Sequence, residues 1–392
     1  MKKTILLIIE GTYPWYRGGV SEWVHQYLHA FSDCNILILQ IASEPYVTLN
    51  IDQAIYEIPP NLIEFKRISL PDLANDWYYF RYPWSHTIID TVKLFMRSVS
   101  LIHVTNTGFA GWLGTQLATY YKQPLLLTEH AVYWKEIEMG AVALECGYML
   151  ENAKYNRREV VSIFKQFAHE TYLRAYKTIS VSQHNLNYQR TLGANSPVYI
   201  PNGINHHLID DQPADMTRND MVIGWVGRCA KMKNPMRFFE VIETMHNYRL
   251  INVRFIMMLS FAGEAGLEDE INKQAKNYHY LEVIWNEKAI NYIHKFDALC
   301  ITSYNESQPL VLFEALSQNV LPFGWKAGDA NAKYGLFIEQ HEPATVLVNK
   351  LMTVWNNKVY WSEELQSKKK LLKAEHTWEK IFSKYRTLMS GN

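Results

Sequence analysis

Short runs of β-branched and aliphatic residues alternate along this chain with longer amphipathic stretches. Thr4–Ile9, Ile36–Ile41, Leu101–Val104, Leu125–Thr128, Thr178–Val181 and Val198–Ile200 read as strands. Helical segments between such strands give the βαβ pattern of a parallel sheet covered by helices. The rhythm restarts at Met221–Val226 and continues through Val253–Met258, Leu281–Ile284, Ala298–Thr302 and Val320–Phe323. The fold class is therefore α/β with two domains, which suits 392 residues because a single core stops growing at about 250–300.

Pro201-Asn202-Gly203 and the polar stretch 205–220, with Pro213, carry turn signals and no periodicity. The expected domains are residues 1–204 and 221–376, each Rossmann-like. A terminal helix is expected in 377–392, with Trp378, Ile381, Phe382, Tyr385 and Leu388 at helical spacing, packing back on the first domain. Ligands of open α/β sheets bind at the carboxyl ends of the strands, so the chemistry is sought in a cleft between two facing domains.

Composition excludes several classes. Lysine plus arginine and aspartate plus glutamate each total 39, so no bulk positive field exists to attract nucleic acid. Cys34, Cys146, Cys229 and Cys300 lie far apart, with no CxxC pair for zinc or redox chemistry. Met1–Ile9 reads as a buried first strand, since its apolar run stops at Glu10 without a small-residue cleavage site. With no apolar stretch near the roughly 20 residues a bilayer requires, a cytoplasmic protein is expected, soluble or peripheral at the inner face of the membrane.

Three loops are candidates for chemistry. Gly11–Glu22, holding Gly18-Gly19, joins the first strand to a helix. A glycine pair there either forms an ordinary tight turn or lets a phosphate approach the helix N–H groups. It is not GxGxxG, which argues against a nicotinamide cofactor. Gly227-Arg228 with Lys231 and Lys233 follows the first strand of the second domain, where two cations suit a diphosphate, although isolated basic loop residues are ordinarily just solvated. The third is Ser303–Leu316. Glu306 lies in a loop after a strand, Pro309 suits a helix's first turn, and Glu314 follows among Val311, Leu312, Phe313, Ala315 and Leu316. A helix start offers N–H groups to an anion, and the carboxylates accept hydrogen bonds from hydroxyls.

At these residues the chain resembles the retaining GT-B glycosyltransferases of family 4, marked by two glutamates with seven residues between them, as in Glu306 and Glu314. Glu10–Pro14 with Arg17–Ser21, and Gln308-Pro309-Leu310, look most like the Pel exopolysaccharide branch, which uses UDP-glucose. Thr128-Glu129-His130, Ile179–Ser182, Pro201–Ile204 and Gly227-Arg228 with Lys233 are further family blocks in order. Ser307, where many relatives have glycine, and Asn205, where aspartate is common, depart from the pattern. The resemblance implies a GT-B fold and transfer of a hexose, glucose first, from a nucleotide-sugar donor to a glycan or glycolipid acceptor in polysaccharide biosynthesis. The donor is a co-substrate, and no metal or other cofactor is expected. Glu306, Arg228, Lys233 and His130 would be catalytic. Gly18, Gly19, Glu314, Gln308, Pro309 and Leu310 would bind the donor. The alternative is a noncatalytic nucleotide-binding GT-B subunit of a membrane polysaccharide synthase.

The aromatic run Trp77–Trp84 reads first as a core cluster under a loop, with a glycan platform or a membrane-interface patch as alternatives. Basic residues in 139–165 read as a solvated helix face rather than a lipid-binding one.

Overall fold

A computed structural model describes residues 2–11, 13–43, 49–70, 76–141, 144, 146, 148–150, 154–210, 212, 217, 219–249, 252–260, 266–286 and 288–390. Thr12 of the opening loop, Pro213 and parts of 205–220 and 139–165 lie outside the described residues. The chain divides into two compact units, residues 1–201 and 202–392.

Unit 1 runs β1 (Thr4–Glu10), α1 (Gly19–Ala30), β2 (Asn35–Ala42), β3 (Leu62–Ser69), α2 (Trp77–Met96), β4 (Val99–Val104), α3 (Phe109–Tyr120), β5 (Leu125–Glu129), α4 (Tyr133–Glu138), α5 (Arg157–Arg174), β6 (Lys177–Ser180), α6 (Leu186–Thr191) and β7 (Val198–Tyr199). Unit 2 runs β8 (Met221–Arg228), α7 (Met236–Asn247), β9 (Val253–Ser260), α8 (Leu267–Ala275), β10 (Leu281–Trp285), β11 (Ala298–Ile301), α9 (Leu310–Ser317), β12 (Leu321–Trp325), β13 (Leu336–Ile338), α10 (Ala344–Trp355), α11 (Lys358–Glu375) and α12 (Trp378–Ser390). Every strand anticipated from the sequence is present, with ends shifted by a residue or two.

Both sheets are parallel and Rossmann-like. Strand order is β3-β2-β1-β4-β5-β6-β7 in unit 1 and β10-β9-β8-β11-β12-β13 in unit 2. In each, the order reverses once, between β1 and β4 and between β8 and β11. Connections leave these strands toward opposite sides, opening a crevice at their carboxyl ends. Strand β1 is buried along its whole length, as a strand covered on both faces must be.

The segment 202–210 packs within unit 2. Ile204 bridges Thr377 in parallel, and Asp210 N donates to Ser317 O at 2.8 Å. His376, buried against the Phe313 ring at 4.4 Å, meets Tyr334 OH at 2.8 Å and Asn202 O at 3.3 Å. Burial lowers its pKa to about 4.

The aromatic run lies on helix α2. Trp77 is fully buried, edge-on to Phe109 at 5.3 Å, while Tyr79 and Tyr82 are 71% and 42% exposed. Arg81 turns inward and stacks 3.6 Å from the Tyr78 ring. Of the basic residues in 139–165, Lys154 pairs with Asp76 at 2.9 Å, and Lys165 lies 4.4 Å from the Trp134 ring. Among the described residues no helix is long and apolar enough to cross a membrane.

Gly224 in β8 lies directly against the buried Phe296 ring, which a Cβ there would overlap. Gly224→Ala is expected to destabilise the protein by about 1–3 kcal/mol through overpacking. A fall in the urea midpoint checks this, and an unchanged midpoint would contradict the packing described.

Candidate functional site

The carboxyl ends of β8 and β11 carry the charged residues of unit 2. After β8 the chain passes Arg228 and forms a single 3-10 turn, Lys231–Lys233. Asn234 then takes a left-handed conformation, φ 48°, and Pro235 starts α7. After β11, Thr302 to Pro309 form the loop leading into α9.

These two loops are joined by side chains. Lys233 Nζ pairs with Glu306 Oε1, and Ser303 Oγ donates to the same oxygen at 2.7 Å. Glu306 Oε2 has no partner among the described residues. Trp225 Nε1 donates to Thr302 Oγ1 at 2.8 Å, which in turn donates to Lys233 O at 2.8 Å. Tyr304 N donates to Met232 O at 3.0 Å. From below, Gly328 presses on the Glu306 main chain with φ +56°, where any Cβ would overlap Glu306 O, and Asp329 N donates to Ser307 O at 3.1 Å. The carboxylate is thus fixed from three sides.

The structure therefore brings Lys233 and Glu306 together. Arg228 is exposed at the end of β8, with no side-chain partner among the described residues. Lys231 is exposed as well. Pro309 stands at the N-cap of α9, one residue before the helix, and Leu310 is its first residue. Gln308 Oε1 accepts from Asn202 N, while its buried Nε2 has no hydrogen-bond partner. Glu314 is half-buried on α9.

Unit 1 has its own polar set. Gly18 is exposed at the N-cap of α1 in extended conformation, and among the described residues beyond its chain neighbours none lies within 4 Å of where its Cβ would be. Gly19 is the first residue of the helix, and Gln40 Nε2 holds the preceding loop by donating to Gly11 O at 2.9 Å and Tyr13 O at 2.5 Å. His130 follows β5, buried edge-on against Trp23 at 4.9 Å, and its Nε2 has no hydrogen-bond partner. Its backbone N donates to Thr105 O at 3.2 Å, tying the ends of β5 and β4. His103 lies nearby against the same tryptophan, with Tyr27 OH at 3.1 Å and Thr128 Oγ1 at 2.9 Å. Burial lowers the pKa of both histidines to about 3, so both are neutral.

Sequence reasoning gave no role to Glu10 and Glu129. Glu129 accepts from Thr107 at 2.6 Å, Tyr172 at 2.6 Å and Gln189 at 2.7 Å; its pKa is raised by burial, against the pull of those three bonds. Glu10 Oε1 accepts from Ala110 N at 2.6 Å, at the start of α3. Their positions as the last residues of β5 and β1 were the available signal.

Comparison with known proteins follows from this geometry. The solved structure of Anabaena HepE in complex with UDP-glucose superposes with TM-score 0.74 at 15% identity, over 99% of this chain and 100% of that one. Sucrose-phosphate synthase from Thermosynechococcus elongatus gives 0.74 at 16%, over 100% of both chains. The chain has the GT-B fold. An E. coli trehalose-6-phosphate structure bound with UDP-2-fluoro glucose gives 0.71 at 10% identity, over 97% of this chain and 98% of that one. A family model described as a domain of unknown function, DUF3492, matches residues 3–78 and 74–197, within unit 1 of this GT-B chain. No curated protein matches the sequence.

The two buried histidines give a pH dependence of known sign. The unfolded chain protonates each near 6.5, the folded chain only near 3. Between those values the unfolded state binds more protons, so their contribution is full above pH 6.5 and is lost as pH falls, by about 1.4 kcal/mol per pH unit for each ring. His130→Gln is expected to make stability less steep by that amount between about pH 6.5 and pH 5. Denaturation midpoints of the two proteins across this range check it, and parallel curves would refute it.

Proposed function

We propose that this protein is a retaining glycosyltransferase moving a hexose, glucose first, from a UDP-sugar to a glycan or glycolipid acceptor in polysaccharide biosynthesis. The observation that carries the reading is the pairing of Lys233 with Glu306 at the strand-order reversal of unit 2, immediately before the amino end of α9. The resemblance to family 4 and its Pel branch supports the finer assignment.

Breaking the anomeric C–O bond builds positive charge on the sugar and negative charge on the departing diphosphate. Cations held against that diphosphate stabilise the transition state more than the ground state. Arg228 and Lys233 take this role, with the first N–H groups of α9 beside them, so the proposed reaction needs no metal. Lys233 has three N–H donors and directs one to Glu306, so it can meet an anion without releasing the carboxylate. Glu306 Oε2 accepts a sugar hydroxyl, and Glu314 accepts from the ribose. Gln308, Pro309 and Leu310 form the start of α9 under the phosphates. The roles the resemblance assigns to Gly18, Gly19 and His130 are part of the same proposal. The leaving phosphate oxygen takes the acceptor proton on the face it departs from, so the product keeps the α configuration and neither glutamate acts as nucleophile.

Purified protein is expected to bind UDP and to release it from UDP-glucose when acceptor is supplied. Lys233→Ala and Glu306→Ala should each lower kcat by about a hundredfold or more, and Glu314→Ala should chiefly raise the donor KM. Circular dichroism should show the fold retained. Full turnover in both of the first two variants would reject the assignment. UDP binding without turnover under any acceptor or synthase condition would favour the noncatalytic subunit.

A further inference from the structure

Arg237 lies on the first turn of α7, four residues beyond Lys233. Its side chain is only 12% exposed, with the guanidinium stacked 3.8 Å from the Trp325 ring. The nearest carboxylate, on Glu240, is largely exposed and 3.9 Å away. The hydrogen bonds go instead to one neutral residue. Arg237 Nη1 donates to Gln340 Oε1 at 2.8 Å, and Nη2 donates to Gln340 O at 2.7 Å. A cation withdrawn from water for two carbonyls is costly unless its fixed fork sets a geometry.

That geometry continues through the glutamine. With Oε1 held by arginine, the Gln340 amide hydrogens face the other way, and Nε2 donates to Ser303 O at 2.9 Å and Lys326 O at 2.8 Å. These acceptors follow the ends of β11 and β12. Ser303 Oγ then donates to Glu306 Oε1, the oxygen that Lys233 also holds. Lys233 and Arg237 are joined by one short turn, so the contacts close into a ring: Lys233, Glu306, Ser303, Gln340, Arg237.

The geometry points to Arg237 and Gln340 as positioning residues for the transfer: they set Ser303 so that its hydroxyl and Lys233 together hold one oxygen of Glu306 and leave the other for the donor sugar. This inference rests on the donor-site reading above. Its plain rival is a staple joining β11 to β12 that affects stability alone.

The full-length protein decides between them. Arg237→Met keeps a stem over Trp325 and removes both hydrogen bonds. With UDP-glucose, kcat should fall about tenfold to a hundredfold, donor KM should change less than about threefold, and Arg237→Lys should restore part of the loss. Ser303→Ala should give a similar loss. Arg237→Met combined with Ser303→Ala should be no worse than the poorer single variant, since both act through one contact. Independently of activity, the NMR signal of isotopically methylated Lys233, assigned with Lys233→Arg, should move in Arg237→Met toward its position in Glu306→Gln. If Arg237→Met does not fold, Gln340→Met is read in the same way. A lower melting temperature with kcat and the Lys233 signal unchanged would overturn the inference, as would losses that multiply in the double variant. If the wild type turns over no nucleotide sugar, the donor-site reading fails by itself. The Lys233 signal then decides: a shift upholds the relay as the device orienting the ion pair, and an unmoved signal removes it.

Discussion

A carboxylate kept short of water organises the carboxyl edge of the unit 2 sheet. Glu306 has a side chain 12% exposed, and its partner Lys233 is 27% exposed. An unpaired charge at that depth costs several kcal/mol, so the pair and the Ser303 hydroxyl answer a desolvation demand before any ligand is considered. They do so unevenly. Among the described residues Oε1 takes both donors and Oε2 takes none, so the carboxylate is held through one oxygen. Arg228, exposed at the end of β8, adds a second cation with no side-chain partner among the described residues. A group of side chains whose acid is half-satisfied and whose bases keep spare donors suits a ligand that brings both hydroxyls and negative charge.

The backbone beneath the acid is equally specific. Gly328 can press on Glu306 O because it has no Cβ and holds φ +56°. Gly324, with φ +149°, approaches Ile301 O at the end of β11 in the same way. Main chain packed on main chain leaves the loop little room to yield, so the orientation of Glu306 is set by close packing as well as by hydrogen bonds.

Much of this was legible in the sequence, for a physical reason. Strands buried on both faces, such as β1 and β12, read as uninterrupted apolar runs. Strand β3 escaped notice because it is a part-exposed edge strand whose Glu64, Lys66 and Arg67, on both faces, break the apolar run, and β13 because three residues make no pattern. Trp77–Trp84 read as a core cluster, and only Trp77 of its rings is fully buried, because the run lies on a helix, with Pro83 inside it, that turns Tyr79 and Tyr82 outward. Glu306 and Lys233 were candidates by their loops after strands, and the family resemblance is what singled them out. Their supports were not legible. Gln340 reaches Ser303 across 37 residues and Arg237 reaches Gln340 across 103, separations at which only the closed sheet reveals contact.

The two sheets reverse their strand order at equivalent places, yet they populate the crevice ends differently. In unit 1, His103 and His130 are neutral through burial, and Glu129 is occupied by three internal donors. Many polar groups there serve one another, while His130 Nε2, Thr105 Oγ1, Gln40 Oε1 and Gln189 Oε1 are buried with no hydrogen-bond partner among the described residues. In unit 2 the equivalent edge keeps cations outward and one carboxylate oxygen unspent. Topology alone therefore does not decide which crevice suits an anion, because both sheets supply the same opening. The difference lies in local packing: in unit 1 the histidines are neutral and Glu129 takes three internal donors, whereas in unit 2 Lys233 and Glu306 pair through one carboxylate oxygen and Arg228 is exposed with no side-chain partner among the described residues.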